Sequence, residues 1–313
     1  FFKHKTAYEI PLRLVGSEMC IRDRPGTVRE TREFIRSHDN VENFEIYGNN
    51  RYIYQYISDR YPEDEIKFDL KKMNLVTIDI EVKSEGGFPT VEKCDEEMLL
   101  ISLQDYNTKR ILTFGVGPYR TQDKMVKYVE CNDEYDMLTH FINYWSHTPP
   151  EVVTGWNCQL YDIPYLAKRI TRVLGDKACK KLSPWGLVTH EEIYMAGRPH
   201  LMYDIGGVTV LDYMDLYKKF TYKAQESYRL DYIGEVELGQ KKLDHSEHDT
   251  FKDFYTKAWN KFVDYNIQDV RLVDSLEEKM KLIELAITMA FDAKVNFTDV
   301  FYQVRMWDMK IYN

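Results

Sequence analysis

From residue 74 onward the chain alternates short apolar runs with polar turns. NLVTIDIEV at 74–82, MLLISLQ at 98–104 and ILTFGVG at 111–117 are rich in β-branched residues and predict strands. Met137, Leu138, Phe141, Ile142 and Trp145 recur at helical spacing, so a helix is expected over about 133–147, ended by Pro149 and Pro150. EVVTGWN at 151–157 returns as a strand, and IPYLAKRITRVLG at 163–175 reads as a helix closed by Gly175. Two strand-like runs between 191 and 216 flank Ala196-Gly197-Arg198-Pro199, which is hairpin chemistry with Gly and Pro at the tip. A long helical region, with breaks, follows Asp249 and runs to about Ala293. Upstream, TVRETREFIRSH at 27–38 predicts a helix and the tyrosine-rich YGNNRYIYQYIS at 47–58 a strand. Strands first, then alternating helices and strands, predict an α/β domain with a mixed β-sheet flanked by helices and an inserted β-hairpin.

Composition narrows the class. The chain has 313 residues, 44% of them hydrophobic and 30% charged, with a formal net charge of −9. No run approaches the ~18 consecutive apolar residues of a membrane span, so no membrane partner is expected. The five cysteines are odd in number and form no CxxC pair, which fits a reducing compartment and argues against a disulfide framework or structural zinc. The acidic balance speaks against a non-specific coat on nucleic acid, but not against an enzyme that acts on nucleic acid at carboxylates. Residues 1–24, FFKHKTAYEIPLRLVGSEMCIRDR, show no sustained period and resemble translated sequencing-adapter read-through; they are expected to be non-native.

Three acidic motifs carry candidate chemistry. Asp79 and Glu81 lie at i and i+2 of a strand, so both carboxylates leave the same face of an apolar run. A second Asp-x-Glu, Asp95 and Glu97, sits in a turn, so the strand context and not the spacing sets Asp79 and Glu81 apart; a solvated sheet edge is the alternative reading of the strand pair. Asp162 precedes Ile163-Pro164, where it reads equally as the N-cap of a helix. Tyr265 and Asp269, at i and i+4, share a helical face; so would any solvated pair, and Tyr119 and Asp123 repeat the spacing in a loop. Together the motifs supply four carboxylates and a phenol. Hard oxygen donors suit Mg²⁺ or Mn²⁺, and two such ions about 3.5–4 Å apart clamp the attacking and leaving oxygens of a phosphodiester.

With DIEVKSEGGFP, TGWNCQLYDIPYL, VLDYMDLYKKF, SYRLDYIGEVEL and DYNIQDV in this order, the chain resembles, over 25–313, the DEDDy 3′→5′ exonuclease domain of family B DNA polymerases, most nearly those of tailed bacteriophages. The resemblance implies an RNase H-like fold over 73–295, a remnant of the polymerase N-terminal domain at 25–72, and the start of the connection to an absent palm domain at 296–313. It implies a proofreading nuclease in a chain that does not itself polymerise. Asp79, Glu81, Asp162, Tyr265 and Asp269 would be catalytic. Asp79 would bridge two Mg²⁺ (or Mn²⁺) ions, Glu81 and Asp269 would complete the tighter site, and Asp162 would hold the looser one. Asn157, Phe88 and Arg198 would contact DNA, with Phe88 either stacking on a terminal base or simply packing against the protein, and the hairpin near 193–210 parting primer from template. The implied partners are the single-stranded 3′ end of the primer, primer–template DNA, and a sliding clamp and other replisome proteins through the full-length parent. The implied location is the cytoplasm of the infected bacterial host.

Two other readings stay open: a catalytically silent DNA-binding or replisome-docking domain, and a free-standing nuclease acting on RNA. The basic run Lys168, Arg169, Arg172, Lys177, Lys180 and Lys181 reads as a solvated helix before it reads as a phosphate surface. Tyr52, Tyr54 and Tyr56 are expected to present unpaired apolar surface.

Overall fold

A computed structural model describes residues 28–38, 41, 54, 56–57, 60–61, 68–85, 87–195, 197–239 and 250–312. The expectations for residues 1–24 and for Tyr52 fall outside them. Helix α1 (Val28–His38) matches the upstream helical prediction. The tyrosine-rich stretch does not form the expected strand where it is described: Tyr54, Tyr56, Ile57 and Arg60 are helical, and Tyr61 N–H donates to Ile57 O at 3.0 Å. Alternating tyrosines mimic a strand period, but Tyr54, Ile57 and Tyr61 also fit the i, i+3, i+7 spacing of one helical face. Nor is Tyr54 left unpaired. It is buried, and its hydroxyl donates to Asp299. Tyr56 is exposed.

The body is a six-stranded mixed sheet in the order β4-β3-β2-β1-β5-β8. Its strands are β1 (Leu75–Val82), β2 (Met98–Asp105), β3 (Ile111–Gly115), β4 (Val126–Glu130), β5 (Val152–Thr154) and β8 (Thr209–Val210). β1 runs antiparallel to β2 on one side and parallel to β5 on the other. A central strand is covered on both faces, which is why LVTIDIEV is nearly all apolar apart from its carboxylates.

Alternation along β1 divides the protein into layers. Val76, Ile78, Ile80 and Val82 face a core built with α2 (Glu134–His147) and α3 (Asp162–Leu174). The opposite face is covered by α8 (Trp259–Met280), which follows the short α7 (Phe251–Lys257) and precedes α9 (Leu282–Ala293). Asp79 and Glu81 belong to this second face. Their strand is irregular at its end, since the register with β2 shifts between Glu81 and Val82. Bulges of this kind re-aim side chains and are frequent beside active sites.

The remaining elements are α4 (Asp176–Cys179), α5 (Tyr213–Phe220), α6 (Leu230–Leu238), α10 (Gln303–Tyr312) and a separate hairpin of β6 (Val188–Met195) and β7 (Arg198–Ile205). The hairpin begins before the expected 193 and ends at 205; residues 209–210 return to the main sheet as β8. Its register closes on Met195 opposite Arg198, with Gly197 between them at φ +76°, the left-handed region glycine tolerates best. Pro199 is therefore inside β7, opposite Tyr194, rather than in the turn.

The basic run is not solvated throughout, although Lys177, Lys180 and Lys181 are exposed. Arg169 is buried and pairs with Glu134, and its guanidinium and that of Arg172 donate to Cys94 O at 3.1 and 2.8 Å. Lys168 Nζ donates to Val91 O and Glu92 O, both at 2.8 Å. One face of α3 thus holds down the loop that joins β1 to β2. Among the described residues no helix is long and apolar enough to cross a membrane.

Candidate active site at the strand–helix junction

β1 and α8 bring three carboxylates together. Asp79, Glu81 and Asp269 each offer an oxygen, and the three lie within 4.8 Å of one another. Glu81 and Asp269 are buried and Asp79 is half-buried. Gathering like charges at low exposure is unfavourable by itself, and a divalent cation reverses the sign of that interaction. An all-carboxylate donor set also fits Mg²⁺ or Mn²⁺ better than zinc. The cluster therefore passes the chemical test for a divalent metal centre.

Asp162 stands next to this group. Thr77 is the last residue of β1 paired with β5, and beyond it Asp162 Oδ1 accepts the Ile80 N–H at 3.1 Å. That contact corrects the helix-cap reading: Tyr161 occupies the N-cap position of α3, and no side chain caps it. Burial pushes the Asp162 carboxyl well above the usual carboxylate range, with Asp212 and Asp269 adding like-charge repulsion. The chain reaches Asp162 by passing close to β1. A Cβ at Gly155 would sit 2.5 Å from Ile78 O, so this approach requires glycine.

Residues 34–233, more than half of the chain, match the family model for the exonuclease domain of DNA polymerase family B. The chain belongs to that family. It is 29% identical to the DNA-directed DNA polymerase of Escherichia phage RB69, over 94% of this chain and 35% of that protein. The DNA-directed DNA polymerase of Enterobacteria phage T4 is 28% identical over the same shares. The DNA polymerase catalytic subunit of Psittacid herpesvirus 1 is 27% identical, over 68% of this chain and 21% of that protein. The chain thus spans about a third of the length of these phage relatives. The family model stops short of α8, whereas a match over 94% of the chain includes Tyr265 and Asp269.

The other predicted residues of this exonuclease domain are spread around the cluster. Tyr265 is half-buried one helical turn before Asp269, with its ring 5.8 Å from Phe254 and edge-on to it. Phe88 is not packed away: it is 78% exposed, with its ring centroid 5.3 Å from that of Tyr161. Asn157 adopts a left-handed φ of +65° in the turn between β5 and α3. Asn is one of the few residues that accept this conformation readily. Arg198 is exposed at the hairpin tip, on a different sheet from the carboxylates.

Two residues of the domain went unread in the sequence. Asn266, fully buried, donates from Nδ2 to Asp79 Oδ2 at 2.6 Å. Asp212 caps α5 by accepting from Met214 N and Asp215 N, and it also accepts from Asn157 N and Gln159 N at 3.2 and 2.9 Å. Burial, and then the charge of Asp215, push its carboxyl up to about 6. The cap signal was visible at Asp212, where an acidic residue precedes YMDLYKKF; its grip on the 157–159 turn depends on tertiary contact. Asp212→Ala is expected to cost about 2 kcal/mol, because four N–H groups lose one acceptor. Urea denaturation at neutral pH measures this, and the turn that carries Asp162 should loosen with it.

Proposed function

We propose that this domain hydrolyses the 3′-terminal phosphodiester of a DNA strand, releases nucleoside monophosphates, and serves as the editing nuclease of a DNA polymerase. The observation that carries the reading is the convergence of Asp79, Glu81 and Asp269 within 4.8 Å, with Asp162 beside them. Asp79, Glu81, Asp269 and Asp162 would hold the Mg²⁺ or Mn²⁺ ions, Glu81 and Asp269 the tighter of two and Asp162 the looser, with Asp79 contributing to both. Such ions, when bound, lower the pKa of a coordinated water and neutralise charge on the scissile phosphate. The chain's own groups do the positioning. The Tyr265 hydroxyl, on the same helical face as Asp269, orients the attacking water by a hydrogen bond. Phe88 offers an exposed ring to the terminal base, and base–aromatic stacking is worth about 1–3 kcal/mol. Asn157 and Arg198 contact the strand, and the hairpin parts it from its template.

A single-stranded 3′ end is the preferred substrate, since a paired end must first fray. Through a longer polymerase the domain meets primer–template DNA, a sliding clamp and other replisome proteins, in the cytoplasm of an infected bacterium. On this reading residues 73–295 form the nuclease, 25–72 belong to a preceding domain, 296–313 lead toward a palm domain, and 1–24 are non-native.

Chromatography of the products from matched DNA and RNA strands tests the reaction. Nucleoside monophosphates released from DNA in Mg²⁺ support it. Preferential attack on RNA favours the free-standing nuclease, and binding without any product favours a silent docking domain.

A further inference from the structure

Asparagine inside a helix is costly. It is a poor helix former, and a buried amide without partners loses its hydration for nothing in return. Asn266 lies within the 22-residue helix α8 at 0% exposure. Its Nδ2 donates to Asp79 Oδ2 at 2.6 Å. Among the described residues its Oδ1 is buried with no hydrogen-bond partner. One end of the amide is thus satisfied by a site carboxylate and the other is given up. The orientation is set by chemistry, because a turned amide would press a carbonyl oxygen against a carboxylate oxygen.

We propose that Asn266 is a positioning residue that fixes the Asp79 carboxylate for metal binding, an inference that rests on reading the cluster as a metal centre. A hydrogen bond from a neutral donor to a carboxylate is short and charge-assisted. It engages Oδ2 and holds the carboxylate plane in one rotamer, so that Oδ1 is presented in a fixed direction. A neutral amide does this without adding a positive charge, which a lysine or arginine there would set against the incoming cations. Asn266 and Asp269 are three residues apart and neighbours on the helix surface. One turn of α8 therefore supplies both a ligand and the group that aims a ligand on β1.

The test uses the full chain carrying Asn266→Leu, which matches the side chain in size and removes the donor. Thermal unfolding is followed across a Mn²⁺ titration, and nucleotide release from single-stranded DNA across the same titration. The Mn²⁺ midpoint is expected to rise about 10–100-fold in both, as when other groups that hold a metal ligand are removed. Unfolding without metal and the KM for DNA at saturating Mn²⁺ should stay near wild type; a purely packing role would move the first and leave the Mn²⁺ midpoint alone. If Asn266→Leu does not fold, Asn266→Ala, which demands no extra room, is read in the same way. A wild-type midpoint in the folded variant overturns the proposal. A wild-type protein with no Mn²⁺-dependent stabilisation overturns the metal centre itself, and this inference falls with it.

Discussion

Asp79→Ala and Asp269→Ala are each expected to cut Mg²⁺-dependent release of 3′-terminal nucleotides about 10³-fold. Each removes one of three carboxylates that lie within 4.8 Å of one another. A metal site of this kind supplies several kcal/mol of transition-state stabilisation, and each 1.36 kcal/mol is about a factor of ten in rate. Initial rates on a labelled single strand measure the loss, with circular dichroism to confirm that the variants are folded. Asp95→Ala is the matched control. Asp95 and Glu97 repeat the Asp-x-Glu spacing in the β1–β2 loop, outside any strand, and the carboxylate cluster does not include them. Its rate should stay within about twofold of wild type, since substitutions away from a site's chemistry change little. Unchanged rates for Asp79→Ala and Asp269→Ala would remove the cluster from the chemistry.

The second large effect is on stability. Arg169→Ala is expected to cost about 3–5 kcal/mol, the range for breaking a buried ion pair from one side. Arg169 is 5% exposed and Glu134 8%. The arginine Nε donates to Glu134 Oε1 at 2.8 Å, and a second guanidinium nitrogen pairs with the other carboxylate oxygen. The same Glu134 Oε1 accepts Met98 N–H at 2.8 Å, at the start of β2. Without the arginine a buried carboxylate is left without its cation, and the loop held at Cys94 O is released. A loss of this size is a large share of the 5–15 kcal/mol that ordinarily separates folded from unfolded domains. Urea denaturation measures it, and a cost below about 1 kcal/mol would mean that the pair does not secure the loop. Pairing Arg169→Met with Glu134→Gln should recover part of the loss, because no uncompensated charge remains.

The same arginine shows where sequence reading stops. As one of six basic residues around a helix, Arg169 reads as solvated, and only the fold sets Glu134, thirty-five positions away, beside it. Strands and helices with strong periodicity were legible: β1, β2, β3, α2 and α3 all lie where the apolar pattern puts them. Elements without a period were not. β4, VKYVE, has no fully buried residue, and β8 is two residues long. The breaks in the long C-terminal helical region were expected, but their positions carry no Gly or Pro. α7 yields to α8 at Ala258, and α8 to α9 at Lys281, which takes a left-handed φ of +55°. Glu277 repairs the second break by accepting Ile283 N–H at 3.0 Å.

The candidate site divides in the same way. Asp79 and Glu81 were legible because a strand's period of two fixes their common face, and Asp269 because its spacing from Tyr265 fits a helix. The sequence left Asp162 open to a cap role, a site role or both, and the cap is removed because Tyr161 holds the N-cap position while Asp162 Oδ1 accepts Ile80 N–H. Asn266 and Asp212 act on residues far away in sequence, Asp79 and the 157–159 turn, so a local pattern could show the cap at Asp212 but neither its hold on that turn nor the bond from Asn266.

If this carboxylate cluster drives hydrolysis from a 3′ end, the reaction must depend on divalent metal. A single-stranded DNA labelled at its 5′ end, incubated with the full chain in Mg²⁺ and in chelator, tests it most directly. A ladder that shortens one nucleotide at a time from the 3′ end is expected in Mg²⁺, and an intact strand in chelator. An intact strand in both, from protein shown to be folded, or equal cleavage in both, would contradict it.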